Sequence, residues 1–173
     1  MGDDFFSYLQ RLELMAFFSA YPLLYAVINV IAGNSKRKVL KRLPSLLPYA
    51  YAMVGSLYFG LQLKNLYPDY SFENISSAVQ QPLLTIWALL SLLFWIPALA
   101  KKPVISLLHS FVFFFLLLKD LFAQLFRDGD KNIVRNDMKV YTDSLLLNSG
   151  AIFIITIIYL LIRFKLKNRT PNN

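Results

Sequence analysis

The chain has 173 residues, 57% of them hydrophobic and only 16% charged, with a formal net charge of +8. A single soluble core of that length could not hide so much apolar surface, so composition excludes an ordinary water-soluble domain and points to a bilayer. The absence of cysteine excludes disulfides, thiolate metal ligands and thiol nucleophiles.

Asp3 and Asp4 make the start acidic where a secretory signal is basic, and position six is Phe6 rather than Ser or Thr. Neither a cleaved signal peptide nor N-myristoylation is therefore expected. A membrane-crossing helix needs about 20 mostly apolar residues to traverse a hydrocarbon layer about 30 Å thick, and five stretches meet or approach this. The first, 14–33, carries Pro22 near its middle, and the missing backbone donor predicts a bend there. The second, 43–63, opens with Pro44 and Pro48, where a helix tolerates proline best. The third, 82–100, lies between Pro82 and the pair Lys101 and Lys102. The fourth, 104–123, is interrupted by Lys119 and Asp120, so Lys119 must snorkel or Asp120 must face protein. The fifth, 144–162, is rich in β-branched residues; its length and lack of alternation favour a helix in lipid over a strand in water.

The intervening segments alternate in charge. Segment 34–44 holds Lys36, Arg37, Lys38, Lys41 and Arg42, the turn after the third span holds Lys101 and Lys102, and the tail holds Arg163, Lys165, Lys167 and Arg169, all without an acidic residue. All ten acidic residues fall on the other three segments and their flanking helix ends: Asp3, Asp4 and Glu13; Asp69 and Glu73; Asp120, Asp128, Asp130, Asp137 and Asp143. The positive-inside rule then gives five crossings, N-terminus outside and C-terminus in the cytoplasm. The expected fold is an all-α integral membrane protein, one bundle of five transmembrane helices over 1–173 with no soluble domain. The basic face also accounts for the high pI without nucleic acid, since those side chains lie against anionic inner-leaflet lipid.

Each polar feature has a bland reading and a sharp one. Asp128, Gly129, Asp130, Lys131 and Asn132 resemble the first half of a calcium-binding EF-hand loop. Ile133 stands where that loop needs glycine and Lys139 where it needs glutamate, so the segment reads as a solvated turn. The preceding outer segment, with Tyr67, Pro68, Asp69 and Tyr70, reads as a turn followed by a short interfacial helix. Asp120 and Asp143 flank the outer loop and could serve as paired carboxylates, but Asp143 before Ser144 reads as the N-cap of the fifth helix. On the fourth helix His109, Asp120 and Gln124 share one stripe bordered by Ser106 and Ser110, a candidate polar path. His109 and Asp120 are separated by about 16 Å along the axis, too far to pair within one helix. Ser19, Pro22, Ala26 and Asn29 on the first helix, and Asn148, Ser149, Thr156 and Tyr159 on the fifth, form similar lines, expected to face protein because each interhelical hydrogen bond contributes roughly 0.6–2 kcal/mol. Ala52, Ser56 and Gly60 at four-residue spacing on the second helix are the pattern that permits close helix approach.

Short loops, no catalytic constellation and packing faces lead to a non-enzymatic membrane subunit, an anchor or scaffold in a larger assembly such as a secretion, transport or motility machine. Its expected partners are anionic lipids and other membrane subunits or further copies of itself, with Lys36, Arg37, Lys38, Lys41 and Arg42 as the cytoplasmic docking patch and no cofactor. The alternatives are a small transporter or channel component with a path between the first, fourth and fifth helices, and an intramembrane enzyme using Asp120 and Asp143. Phe-, Tyr-, Lys- and Asn-rich usage suits a bacterial inner membrane, while Asn74, Ile75 and Ser76 form a glycosylation sequon relevant to a eukaryotic source.

Overall fold

The computed structural model describes residues 2–126 and 131–169, with side chains placed at 7–75, 79–123, 126 and 138–166. Its helices in chain order are α1 (Gly2–Phe18), α2 (Tyr21–Asn34), α3 (Leu43–Leu66), α4 (Phe72–Ala78), α5 (Pro82–Leu89), α6 (Pro97–Ala100), α7 (Pro103–Phe126) and α8 (Lys131–Arg169), with 3₁₀ segments at Leu40–Arg42 and Leu90–Trp95. No strand occurs among the described residues. Proline punctuates the chain as its chemistry requires. Pro22, Pro44, Pro82 and Pro97 each sit at the first or second position of a helix, and Pro103 opens α7, positions where the missing donor would have had no intrahelical partner.

Among the described residues, three stretches are long and apolar enough to cross a membrane: Ser7–Asn34, Pro103–Ala123 and Met138–Leu166. They correspond to the first, fourth and fifth expected spans, with changed boundaries. The first is a pair of helices, α1 and α2, interrupted at Ser19 and Ala20, and it reaches back past Leu14 to Ser7. The fifth extends well upstream of 144, so Asp143 is an exposed residue inside α8 rather than its N-cap. An exposed aspartate costs a helix interior little, and a capping residue type does not by itself start a helix when the preceding residues can also be helical. The second expected span is α3, 24 residues long and matching in position, but its tyrosines, serines and two prolines leave it outside the three most apolar stretches.

The third expected span, 82–100, is not one α-helix. After α5 the chain tightens into the six-residue 3₁₀ segment, opens at Ile96 (φ −73°, ψ 121°) and restarts as α6. Pro97 causes the opening: it removes a donor and pushes the preceding residue out of the α region.

Contacts fix the direction of each segment. Along α1, α2 and α7 the partners run in opposite order, Tyr21 with Ser106, Phe18 with Phe113, and Arg11 with Asp120. From α5 into the 3₁₀ segment and α3 they do so again, Phe94 with Tyr51 and Trp95 with Tyr49, while Ser91 faces Gly55. Arg42, at the start of α3, meets Tyr159 late in α8. Successive long segments are thus antiparallel, which gathers the basic segments at one end and Glu13, Asp69, Glu73 and Asp120 toward the other.

The long helix outside the three most apolar stretches lies at the centre. α3 packs against α1, α2, α7, α8 and the 3₁₀ segment, burying Leu47, Ala50, Tyr51, Ala52, Val54 and Tyr58. Its tyrosines meet Phe17, Phe18, Tyr21 and Phe94 at centroid distances of 4.4–5.7 Å, contacts worth about 0.5–1.5 kcal/mol each beyond burial. A central helix can carry hydroxyls because protein, rather than lipid, surrounds it. Leu23, Val30, Leu108, Phe153 and Leu161 on α2, α7 and α8 are by contrast exposed, as lipid-facing positions would be.

The close approach of the backbone is at Gly55. A Cβ added there would lie 2.0 Å from Ser91 Oγ and 3.0 Å from Ser91 Cβ, whereas one added at Gly60 would meet nothing within 4 Å. Gly55→Ala is therefore expected to destabilise the detergent-solubilised protein by about 1–3 kcal/mol, and Gly60→Ala by less than about 0.5 kcal/mol. Equal effects in equilibrium unfolding would refute this packing.

Candidate functional site

The polar side chains sort into three layers of contact between helices. The first surrounds His109, which is 8% exposed on α7. Its Nε2 lies 2.8 Å from the Trp87 carbonyl, and a carbonyl only accepts, so Nε2 carries a hydrogen. In the neutral ring Nδ1 then accepts the Tyr51 hydroxyl hydrogen, at 2.7 Å. Trp87 stacks on the imidazole at 4.9 Å and 5°, and its Nε1 donates back to the His109 carbonyl at 3.1 Å. Both ring nitrogens are committed, and His109 pins α7 to α3 and α5. One turn away, Ser106 donates to the Pro103 carbonyl at 2.7 Å, so the Tyr21 hydroxyl must donate to Ser106 Oγ, also at 2.7 Å.

The second layer is the break between α1 and α2. Asn148, 1% exposed on α8, donates its amide to the carbonyls of Phe17 at 2.8 Å and Ser144 at 2.9 Å. Ser144 Oγ accepts from the Ala20 backbone N–H at 3.1 Å. Two of the groups released by the interruption, the Phe17 carbonyl and the Ala20 N–H, are thus taken up by side chains one turn apart on α8. Asn148 Oδ1 and Ser19 Oγ are buried here without a hydrogen-bond partner.

The third layer ties the start of α1 to its neighbours. Arg11 forms an ion pair with Asp120, their side chains 26% and 18% exposed. Gln10 Oε1 accepts from the Gln80 backbone N–H at 2.9 Å, and Gln81 donates to the Ser7 hydroxyl and carbonyl at 2.9 and 3.2 Å. Asp120 therefore faces protein, on α1, and Lys119 is exposed.

The expected site residues are only partly brought together. His109 and Asp120 belong to separate networks, and the side chain of Gln124 lies outside the described residues, as does the EF-hand-like turn at Asp128, Gly129 and Asp130. Asp120 is engaged by Arg11 while Asp143 is exposed on α8. No group of three or more His, Cys, Asp or Glu side chains suited to a metal occurs among the described residues. Asn29 is exposed and bonds the Tyr25 carbonyl of its own helix at 2.8 Å; half-buried Thr156 likewise bonds that of Ile152 at 2.7 Å. Ala52 is buried, Ser56 accepts from Trp95 Nε1 at 2.9 Å, and Gly60 is open. Lys36, Arg37, Lys38, Lys41 and Arg42 are all exposed, with Arg42 hydrogen-bonded to the Tyr159 hydroxyl.

Sequence reasoning did not find Arg11, Tyr51, Trp87, Ser144 or Gly55. Arg11 left a signal, since two charges of opposite sign stood unpaired at the same end of the protein. Tyr51 and Trp87 left none, because aromatics at membrane depth are also ordinary lipid anchors. Compared with known protein families, curated proteins and solved structures, the chain has no significant match.

Asp120→Asn, which strands the Arg11 guanidinium, is expected to cost about 1–3 kcal/mol, between exposed and fully buried pairs. Combining Arg11→Asp with Asp120→Arg should recover at least half of the stability lost in Arg11→Asp alone. A double variant as unstable as the sum of its single changes would exclude the pair as a tie between α1 and α7.

Proposed function

We propose that this chain is a five-span subunit of the cytoplasmic membrane, N-terminus outside and C-terminus inside, that anchors or scaffolds a larger membrane assembly. The observation that carries the topology is the separation of charge along the long axis. Lys36, Arg37, Lys38, Lys41 and Arg42 are exposed at the end where Arg42 meets Tyr159, and Glu13, Asp120 and the Asp69 segment lie toward the opposite end. Two of the five crossings are α3 and the broken third segment. Eight α residues, six 3₁₀ residues and four further α residues extend about 30 Å, since 3₁₀ geometry rises about 2.0 Å per residue against 1.5 Å in an α-helix. That length matches a hydrocarbon layer.

The subunit role is supported by what the buried polar side chains do. Tyr21, Tyr51, Ser106 and His109 hold helices together rather than converge on an open cavity. A groove of about 430 Å³ between α3, α4 and α5 is lined mostly by apolar side chains such as Phe59, Leu63, Phe72 and Ile86. The exposed basic face supplies a docking surface for anionic headgroups or for an acidic segment of a cytoplasmic partner. The second reading, a transporter or channel component, is favoured by one observation: broken helices at membrane depth are a recurrent device of ion-coupled carriers, and α1 and α2 form such a helix.

The cysteine-free chain makes topology directly measurable. Asp69→Cys should react with a membrane-impermeant maleimide in intact cells, and Lys38→Cys only after permeabilisation; labelling of both from one side would refute the five-span arrangement. Gentle purification from the native membrane should return the chain with stoichiometric partners, and recovery as a lone monomer would refute the subunit role.

A further inference from the structure

We propose that the break between α1 and α2 binds a small monovalent cation, of about the size of sodium, with Asn148 Oδ1 and Ser19 Oγ among its ligands. Such binding is a property of the chain alone, independent of the subunit role.

The break removes hydrogen bonds from the backbone. Pro22 has no N–H, so the Phe18 carbonyl is denied its donor four residues on. The Ala20 N–H, which would close on Ala16 in a continuous helix, is given to Ser144 Oγ at 3.1 Å. Only the Phe17 carbonyl receives a replacement, from Asn148. The C-terminal end of α1 therefore presents oxygens in excess of donors, and it is the negative end of the helix dipole.

Two side chains sharpen this imbalance. The amide of Asn148 cannot be turned over, because its nitrogen donates to two carbonyls and a flip would set oxygen against oxygen. Its Oδ1 is consequently an acceptor with no donor, on a residue 1% exposed. Ser19, with no exposure, also lacks a partner. Its hydroxyl had a local alternative that it does not take: Ser56, Ser91, Ser106 and Ser110 each close on a carbonyl three or four residues back in their own segment. A buried acceptor left unmatched in a low-dielectric interior is costly.

The chemistry of the ligand follows from that oxygen set. Neutral hydroxyl, amide and backbone carbonyl oxygens without a carboxylate suit a singly charged ion, whereas calcium or magnesium would call for acidic ligands. An anion would meet the wrong end of α1. Carbonyl oxygens at the C-terminal end of an interrupted membrane helix hold sodium in carriers elsewhere, and the Phe18 ring, stacked on Phe113 at 4.8 Å, helps close the region.

The test is thermal unfolding of the full chain in detergent, in sodium, potassium and choline chloride at one ionic strength. The midpoint should rise with sodium or potassium over choline, saturating at several degrees. Ser19→Ala should fold, weaken the apparent cation affinity at least fivefold and shrink that rise, while Gly60→Ala should leave it unchanged. A midpoint indifferent to the identity of the cation overturns the proposal. So does Ser19→Ala shifting the midpoint equally in all three salts: upward would mark an unsatisfied hydroxyl, downward a bridging water.

Discussion

The requirement that backbone hydrogen bonds be closed inside the molecule governs the whole arrangement. A continuous helix meets it unaided, but this chain breaks its first long helix at Ser19 and Ala20. The break is tolerable only because α8 brings Ser144 and Asn148 to the released groups. That places α8 against α1 at a fixed height and rotation. The interruption and the uninterrupted 39-residue α8 are in this sense one feature, since the longer helix supplies the partners that the shorter ones lack.

The same logic explains why α3 occupies the centre. Helices in lipid gain little from hydrophobicity alone, because a neighbouring helix is no more apolar than an acyl chain. What selects the central helix is its capacity for close contact and hydrogen bonding. Gly55 admits Ser91, Tyr51 reaches His109, and the aromatic cluster of Phe17, Phe18, Tyr21 and Tyr58 fills the space around it. The helices with the longest apolar runs, α7 and α8, keep wide exposed faces instead. Apolarity tracks where lipid is expected, and polarity marks the contacts between helices.

The ion pair of Arg11 with Asp120 resolves the interrupted fourth span in the same terms. A carboxylate at that height needs a partner or water, and α1 supplies the partner from the outset of the chain. Its neighbours Ser7 and Gln10 hold α5 through Gln81 and Gln80. The residues before Leu14 thus serve as a clasp across one end of the bundle.

Sequence alone determined the all-helical class, the approximate positions of the first, fourth and fifth apolar segments and the alternation of charge along the chain. These depend on local composition, and a bilayer reads composition directly. Proline positions foretold most helix starts, for a reason equally local. Only the tertiary structure decided which small residue marks the close approach: the Ala52, Ser56 and Gly60 stripe has the right spacing, yet among the described glycines it is Gly55 that a neighbour touches. It also decided which polar groups meet. His109 and Asp120 share one face of α7, but the helices opposite them differ, so one joins Tyr51 and the other Arg11. Spacing fixes where a side chain lies on its own helix. What it faces depends on the rotation and height of another helix, set by packing across the whole bundle.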